Sequence, residues 1–167
     1  MKPEHARIFK LLADWQLLGL NIEREASGES REGRIAVATV TLERVDHRKW
    51  DGNTIQEVIL WPWQFSWTMP EAEKGCSYYK EHGPMYYDHA VWIAANWVEA
   101  YAHDETLREC AAVASGMLQG TIPRDPDLAA VHCCQYLNPK TAAGTRVKWI
   151  KAGMKPVKII ANHEFFV

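Results

Sequence analysis

The sequence predicts an α+β domain in which helices dominate and a small antiparallel sheet forms late in the chain. Two observations predict this class. Apolar residues recur at spacings of three and four through much of the first two thirds of the chain, which is the period of an amphipathic helix. Short β-branched and aromatic runs follow, between turn signals, which is typical of strands. At 167 residues, the chain is most simply a single domain spanning residues 1–167.

Capping residues mark where the helices begin and end. Ser30, Thr54 and Asp104 each carry a side-chain oxygen that can accept a hydrogen bond from a free N–H in the first turn. Gly28 suits the end of a helix, because glycine adopts a positive φ angle readily. The predicted helices span residues 4–19, a continuation to about 26, 31–45, 54–60, 87–101 and 104–119. Strands are predicted at 131–137, at 157–160 and near 165, with a short strand or extended loop at 64–68 and a loop or insertion at 69–85.

Composition and charge exclude several classes of protein. A net charge of −2 argues against a general nucleic-acid-binding protein. No apolar run approaches the roughly 18 residues needed to cross a membrane. Residues 1–20 show no signal peptide, so we expect the chain to be made and held in the cytoplasm. The four cysteines lack C-x-x-C spacing and are expected to be reduced thiols.

Three short motifs occur in a fixed order along the chain. The first is Glu25-Ala-Ser-Gly-Glu29, followed by an amphipathic run from Arg31 to Val45, and the second is Gln64-Phe65-Ser66-Trp67. The third is Tyr136-Leu-Asn138-Pro, with the closing segment Ile-Ala-Asn-His163-Glu-Phe-Phe. Together they resemble the spore-cortex-lytic, SleB-type family of cell-wall hydrolases. The resemblance runs from about residue 17 to the C-terminus and leaves residues 1–16 as an N-terminal helical extension.

The resemblance implies a lysozyme-like fold, similar to lytic transglycosylases and resuscitation-promoting factors. It implies cleavage of bacterial peptidoglycan between N-acetylmuramic acid and N-acetylglucosamine without a cofactor, by a monomer. Glu25 matches the catalytic acid of the family and Glu29 a supporting glutamate. The residues expected to bind substrate are Gln64, Phe65, Ser66, Trp67, Tyr136, Asn138 and His163. Gln64 would bond an N-acetyl group, Trp67 would stack on a sugar, and the Tyr136 hydroxyl would contact the reacting carbon.

The chemistry of glycosidic cleavage is consistent with a glutamate in this position. One carboxylic acid must remain protonated near neutral pH to donate to the leaving oxygen. Burial in an apolar pocket raises the pKa of a carboxyl group by disfavouring its charged form. Glu25 closes an apolar helix, and aromatic residues near Phe65 could complete such a pocket. Glu29 is expected to organise backbone N–H groups at the start of the next helix.

The outcome of the reaction depends on a second carboxylate. A double-displacement glycosidase needs one as a nucleophile, but a substrate-assisted mechanism does not. Asp51, Asp125, Asp127 and Glu164 are more simply interpreted as turn, capping or surface residues. The sequence therefore favours a lytic transglycosylase giving 1,6-anhydro products. A muramidase or glucosaminidase that uses water remains the alternative.

Other classes of function have weaker support in the sequence. No H-E-x-x-H motif occurs, and Cys and His do not cluster at ligand spacing, so no metal site is predicted and a zinc amidase would need scattered ligands. A serine hydrolase lacks its G-x-S-x-G elbow. A peptidase could pair Cys76 or Cys110 with His163. A protein that binds the wall without catalysis is the remaining class.

Several positions depart from the resembled family. Glu43-Arg44 stands where the family often has Asn-Arg, Gln135 replaces a histidine, and Ala161 replaces a glycine.

The single-domain plan without a signal peptide or wall-binding module suggests a phage-type endolysin released through a holin.

Overall fold

The computed structural model describes residues 1–47, 52–62, 64–68 and 85–167. Helices surround a buried central helix, and a three-stranded sheet packs at one side. The helices are α1 (Pro3–Lys10), α2 (Asp14–Ala26), α3 (Arg31–His47), α4 (Ile55–Leu60), α5 (Met85–Ala95), α6 (Trp97–His103), α7 (Glu105–Leu118), α8 (Pro126–Ala130) and α9 (Ala143–Lys151). The strands are β1 (Gln135–Leu137), β2 (Pro156–Ile160) and β3 (His163–Phe166), and Ser66–Thr68 form a 3-10 turn.

Helix α2 is the centre of the fold, and its closest neighbour is α7. Gly19 lies against the backbone of Ala111, where an added Cβ would approach the Ala111 Cα to 2.8 Å. The two helices can therefore pack with their backbones almost in contact. Leu17, Leu18 and Ile22 have no exposed surface, so α2 is buried over most of its length. This burial fixes where the last turn of α2 presents its side chains.

Buried polar contacts tie α2 to its other neighbours. The Trp67 indole N–H donates to Asn21 Oδ1 at 2.9 Å, and Asn21 Nδ2 donates to Thr41 Oγ1 at 3.3 Å. Trp67 also meets Phe9 of α1 edge to face, with 5.6 Å between the ring centroids. Helix α1 therefore shares the core of the remaining helices. No described helix is long and apolar enough to span a membrane.

The sheet is antiparallel in the order β1-β3-β2. All four residues of β3 are buried, as expected for the central strand. Phe165 packs against Ala36 and Val40 of α3, so one face of the sheet covers that helix. Ala161 begins the turn between β2 and β3 with a φ of +49°, in the left-handed region that disfavours residues with a Cβ.

The three predicted N-terminal caps are confirmed, whereas the predicted conformation of Gly28 was wrong. Thr54 accepts from the Glu57 N–H at 3.1 Å, and Asp104 accepts from the Leu107 N–H at 2.9 Å. Ser30 accepts from the Gly33 N–H at 3.4 Å. Gly28 has no positive φ angle; Ser27 before it keeps a helical conformation, and the chain turns there without a left-handed residue.

Several predicted boundaries were wrong. The first predicted helix is divided, because Gln16 turns back to accept from the Ala13 N–H and begins α2. The predicted helix 87–101 breaks at Asn96. Strand β1 is shorter than predicted, because His132 takes a φ of +51° in the turn that precedes it. Helices α8 and α9 were not predicted, and Ser66–Thr68, predicted as part of a short strand or extended loop, form a 3-10 turn. Residues 69–84 of the predicted insertion lie outside the described residues.

Candidate active site

Glu25 lies in the last turn of α2, where the helix reaches the surface. Its side chain is half-buried, and burial raises the pKa of its carboxyl group. Two smaller effects oppose this shift: the Tyr136 hydroxyl donates a hydrogen bond to Oε2 at 2.9 Å, and the positive charge of Arg44 favours the ionised form. Because burial dominates, the site favours a protonated carboxyl group, as a general acid requires.

Tyr136 reaches Glu25 from the first strand of the sheet, 111 residues further along the chain. It is paired with Phe165 across β1 and β3, with 5.7 Å between the rings. The His163 ring meets Tyr136 edge to face at 5.3 Å. Since Phe165 is fixed against α3, the sheet holds the Tyr136 hydroxyl in place beside the end of α2. The motifs that contain Glu25 and Tyr136 are thus brought together.

Arg44 lies close to Glu25 and Tyr136. Sequence analysis did not identify it as a site residue. Its Nε donates to the Cys134 carbonyl at 2.7 Å, and its guanidinium lies 5.2 Å from the centre of the Phe65 ring. With its amide oxygen directed inward, Gln64 accepts from Arg44 at 2.5 Å. Burial lowers the pKa of Arg44, but a guanidinium remains charged in proteins. In the sequence, the signal that could have identified Arg44 was the presence of an arginine in the second half of the helix that forms α3.

Glu29 connects the start of α3 to the β2–β3 turn. Its carboxylate accepts from the Asn162 side chain at 3.0 Å and from the Asn162 backbone N–H at 3.3 Å. Its partners are therefore in the turn, and the expectation that it organises the N–H groups of α3 was wrong. Gly33 permits this arrangement, because a Cβ there would approach the Glu29 Cβ to 2.8 Å.

His163 lies between Glu29 and Tyr136. Its Nδ1 is 3.7 Å from Glu29 Oε1 and has no hydrogen-bond partner among the described residues. Burial lowers the pKa of His163, although Glu29 opposes that shift. The imidazole is therefore neutral at physiological pH, and it packs the Tyr136 ring against the rest of the site.

The predicted Gln64–Trp67 segment serves mainly as support. Trp67 has no exposed surface and its N–H is bonded to Asn21, so the indole has no face for a sugar and the stacking role was wrong. Phe65 is 3% exposed and lies under Arg44. Gln64 is bonded to Arg44, whereas Ser66 is exposed. A buried 3-10 turn explains why this motif packs into the core.

Two further polar residues lie in different surroundings from those expected. Asn138 uses its side-chain oxygen to accept from the Lys140 N–H at 2.9 Å, which closes the turn after β1. Glu164 was interpreted as a turn, capping or surface residue, but it is 2% exposed and forms a two-point ion pair with Arg146. Since Glu164 alternates with Phe165 along β3, it lies on the opposite face of the sheet from Tyr136.

The thiols do not provide a nucleophile among the described residues. Cys110, Cys133 and Cys134 are all buried. Burial raises the pKa of Cys110 to about 12, so the thiolate that attacks a peptide carbonyl would not form there. The pairing of Cys110 with His163 as a peptidase was therefore wrong. Cys76 lies outside the described residues.

Comparison with known proteins agrees with this geometry. A family model described as cell wall hydrolase matches residues 28–166. The chain belongs to the cell wall hydrolase family. The crystal structure of the catalytic domain of the Bacillus cereus SleB protein matches with a TM-score of 0.56 at 24% identity, covering 92% of this chain and 89% of that domain. No match was found among curated protein sequences.

The family match confirms the predicted membership in a family of cell wall hydrolases. The similarity to the SleB catalytic domain confirms the predicted lysozyme-like, helix-dominated fold with a small antiparallel sheet. Membership in the cell wall hydrolase family supports an enzyme that degrades peptidoglycan. Glu25 itself lies just before the first matched residue. Its assignment therefore depends on the contacts described above.

Proposed function

We propose that this cell wall hydrolase cleaves the glycan strand of peptidoglycan between N-acetylmuramic acid and N-acetylglucosamine, with Glu25 as both general acid and general base. The observation that supports this most directly is the state of the Glu25 carboxyl group. It is half-buried with a raised pKa, yet it is close enough to the surface to meet a polymer. These are the properties that a proton donor to a glycosidic oxygen needs.

In the first step, Glu25 donates its proton to the oxygen that links the two sugars, and the bond from that oxygen to the muramic acid C1 breaks. The carboxylate formed in this step is stabilised by the Tyr136 hydroxyl at 2.9 Å and by the nearby charge of Arg44. Both groups are held in place before the reaction, so they need little reorganisation when the charge appears. The oxocarbenium-like C1 then requires a nucleophile.

We propose further that the muramic acid 6-hydroxyl supplies this nucleophile. Its oxygen forms a bond to C1, and Glu25 accepts its proton, which restores the acid and gives a 1,6-anhydro sugar. Two described carboxylates of the motif segments, Glu29 and Glu164, are occupied by Asn162 and Arg146. A hydroxyl of the bound substrate reacts at high effective concentration and needs no second carboxylate.

The rival within this class is a muramidase or glucosaminidase in which Glu25 activates water. The muramidase uses the same protonation step and differs only in the group that attacks the muramic acid C1, whereas the glucosaminidase cleaves the other glycosidic bond, at C1 of N-acetylglucosamine. An amidase or peptidase would cleave the peptide instead and release new amino groups. A wall-binding protein without activity would release no fragments at all.

The role of the enzyme in a cell is a separate proposal. We propose that it acts as a bacteriolytic endolysin of phage type, made in the cytoplasm and released to the wall through a holin. Expression in the cytoplasm should then cause lysis only when the inner membrane is made permeable. Lysis without permeabilisation would contradict this role and would leave the chemistry untouched.

The products of digestion test the chemistry. Purified sacculi are digested, and the soluble fragments are analysed by mass spectrometry before and after borohydride reduction. We expect fragments that end in 1,6-anhydro-muramic acid, one water lighter than hydrolysis products and unchanged by borohydride. Reducible N-acetylmuramic acid or N-acetylglucosamine ends would refute the transglycosylase and support the hydrolase. New amino groups with intact glycan would refute glycosidic cleavage altogether.

A further inference from the structure

Three side chains with metal-binding atoms converge at the end of α3, and none of them belongs to the motif residues of the proposed active site. Glu43 Oε2 lies 3.1 Å from His47 Nε2 and 3.2 Å from His132 Nδ1. The three atoms all lie within 4.8 Å of one another. Neither the family match nor the proposed function assigns this cluster a role.

The backbone holds the three residues in this arrangement. Glu43 and His47 are one helical turn apart in α3, so their side chains share a face. His132 comes from the turn between α8 and β1, where the backbone adopts a φ of +51°. That turn is fixed by a hydrogen bond from the His132 N–H to the Ala129 carbonyl at 3.1 Å. An unusual conformation thus brings a histidine from a distant part of the chain to the helix.

A fourth residue orients the carboxylate. Arg124 donates to the other oxygen of Glu43, Oε1, at 2.6 Å and also lies 2.6 Å from Asp46. Oε2 is therefore left facing the two imidazoles. Hydrogen bonds that fix a ligand carboxylate in this way are a common support of metal sites.

We propose that Glu43, His47 and His132 bind a divalent transition-metal ion of the Zn²⁺ class. Ligand atoms about 2.0–2.1 Å from a tetrahedral ion lie about 3.4 Å from one another, close to the two separations measured from Glu43. Two imidazoles and one carboxylate are a ligand set suited to zinc, and they leave a fourth position for water. The side chain of His132 is 55% exposed, so an ion can enter from solvent.

The bound ion connects two segments that support the active site. Arg44 follows Glu43 directly, and its Nε is bonded to the carbonyl of Cys134, two residues after His132. An ion at the cluster would cross-link α3 to the turn before β1, beside that hydrogen bond. Because binding to the folded state alone stabilises it, the ion raises the unfolding temperature.

The test uses the full chain, with any histidine tag removed, after treatment with a chelator and desalting. Zn²⁺ is titrated by calorimetry, and Co²⁺ by its visible absorption, which reports tetrahedral nitrogen and oxygen ligands. We expect one equivalent of each ion to bind and Zn²⁺ to raise the melting temperature. Mg²⁺ should have no such effect, because it prefers six oxygen ligands.

Two variants locate the site. His132→Asn removes the imidazole while keeping a residue that tolerates a positive φ angle, and His47→Gln removes the second imidazole. Each should weaken Zn²⁺ binding by about 100-fold or more, since even a change to a supporting residue costs 10–100-fold. His103→Gln, at an exposed histidine at the end of α6, is the matched control and should bind as the unaltered protein does.

Absence of saturable Zn²⁺ binding would overturn the proposal, and the cluster would then be a polar side-chain contact only. Binding that persists unchanged in both His132→Asn and His47→Gln would overturn it as well. Neither result depends on the products of peptidoglycan digestion, so the metal site and the proposed activity can fail independently.

Discussion

Glu25 and Glu164 are two glutamates that pack on opposite sides of the same sheet region, and their surroundings differ. Glu164 is almost completely buried and has both oxygens bound by Arg146. Glu25 is less buried, yet the group that donates a hydrogen bond to its Oε2 is a neutral hydroxyl. The carboxylate of Glu164 is paired with a cation, whereas burial raises the pKa of Glu25. Burial alone therefore does not distinguish a structural carboxylate from a catalytic one. The group to which the carboxylate is bonded distinguishes them.

The largest expected effect is that of Glu25→Gln on activity. The amide keeps the shape of the side chain but cannot donate the catalytic proton, so lysis of sacculi should fall by about two to four orders of magnitude. Glu32→Gln, at an exposed glutamate in the first turn of α3, is the matched control and should retain full activity. A turbidity assay on sacculi measures both.

Stability provides a second readout for the same variant. The folded-state pKa of Glu25 is raised, so the unaltered protein loses stability as the pH rises from 4.5 through the folded pKa. The amide in the variant carries no charge and avoids that loss. Glu25→Gln should therefore melt higher than the unaltered protein at pH 7, with the difference shrinking toward pH 4. A lower melting temperature at pH 7 would contradict the raised pKa.

Tyr136→Phe tests how the neutral hydroxyl that bonds to Glu25 affects the pKa of this acid. The hydroxyl lowers the pKa of Glu25, so its removal should raise that pKa further and move the alkaline limb of the pH–activity profile to higher pH. The loss of one hydrogen bond to the carboxylate should lower the maximal rate by about tenfold. Tyr101→Phe, in the packing of α6 against Trp15, should leave the profile in place. If the alkaline limb of the pH–activity profile does not move in Tyr136→Phe, the Tyr136 hydroxyl does not influence the pKa of Glu25.

Glu164→Gln should affect stability and leave the chemistry intact. The amide accepts at one point where the carboxylate accepted at two, and Arg146 is partly exposed, so we expect a loss of about 1–2 kcal/mol in the free energy of unfolding. Denaturant unfolding measures that loss. Activity per folded molecule should match that of the unaltered protein. A hundredfold fall in that activity would make Glu164 part of the catalytic machinery.

The smallest expected effect is that of Ala161→Gly in the β2–β3 turn. Glycine removes the strain of a Cβ at a φ of +49°, and its greater freedom in the unfolded chain offsets part of the gain. A stabilisation of about 0.5–1 kcal/mol should remain. The adjacent Asn162 continues to bind Glu29, so activity should be unchanged. Destabilisation by glycine would show that the alanine is unstrained.

The sequence predicted the fold where local signals were strong. Ser30, Thr54 and Asp104 cap helices as expected, because capping depends on residues only three positions apart. Sequence analysis missed the break at Asn96 and the turn at His132, although local hydrogen bonds to the Trp92 and Ala129 carbonyls hold both. Trp67 was assigned to a sugar, although a buried indole with a hydrogen-bond partner has the same sequence signature.

The candidate site shows the same limit. Glu25 and Tyr136 could be identified from their motifs, but their hydrogen bond joins residues 111 positions apart. The role of Arg44 depends on Cys134, Gln64 and Phe65, which no local pattern connects to it. The spacing of Glu43 and His47 was visible in the sequence, but its third partner, His132, required the fold.

The pH titration of individual carboxyl groups tests the central claim most directly. Carboxyl carbons labelled with ¹³C in glutamate are followed by NMR from pH 3 to pH 9, and Glu25→Gln and Glu164→Gln identify the two resonances. We predict that Glu25 titrates with a midpoint above the ordinary value of 4.5 and that Tyr136→Phe raises this midpoint. A Glu25 midpoint at or below 4.5 would contradict the account, because the carboxyl group would then be ionised before the substrate arrives.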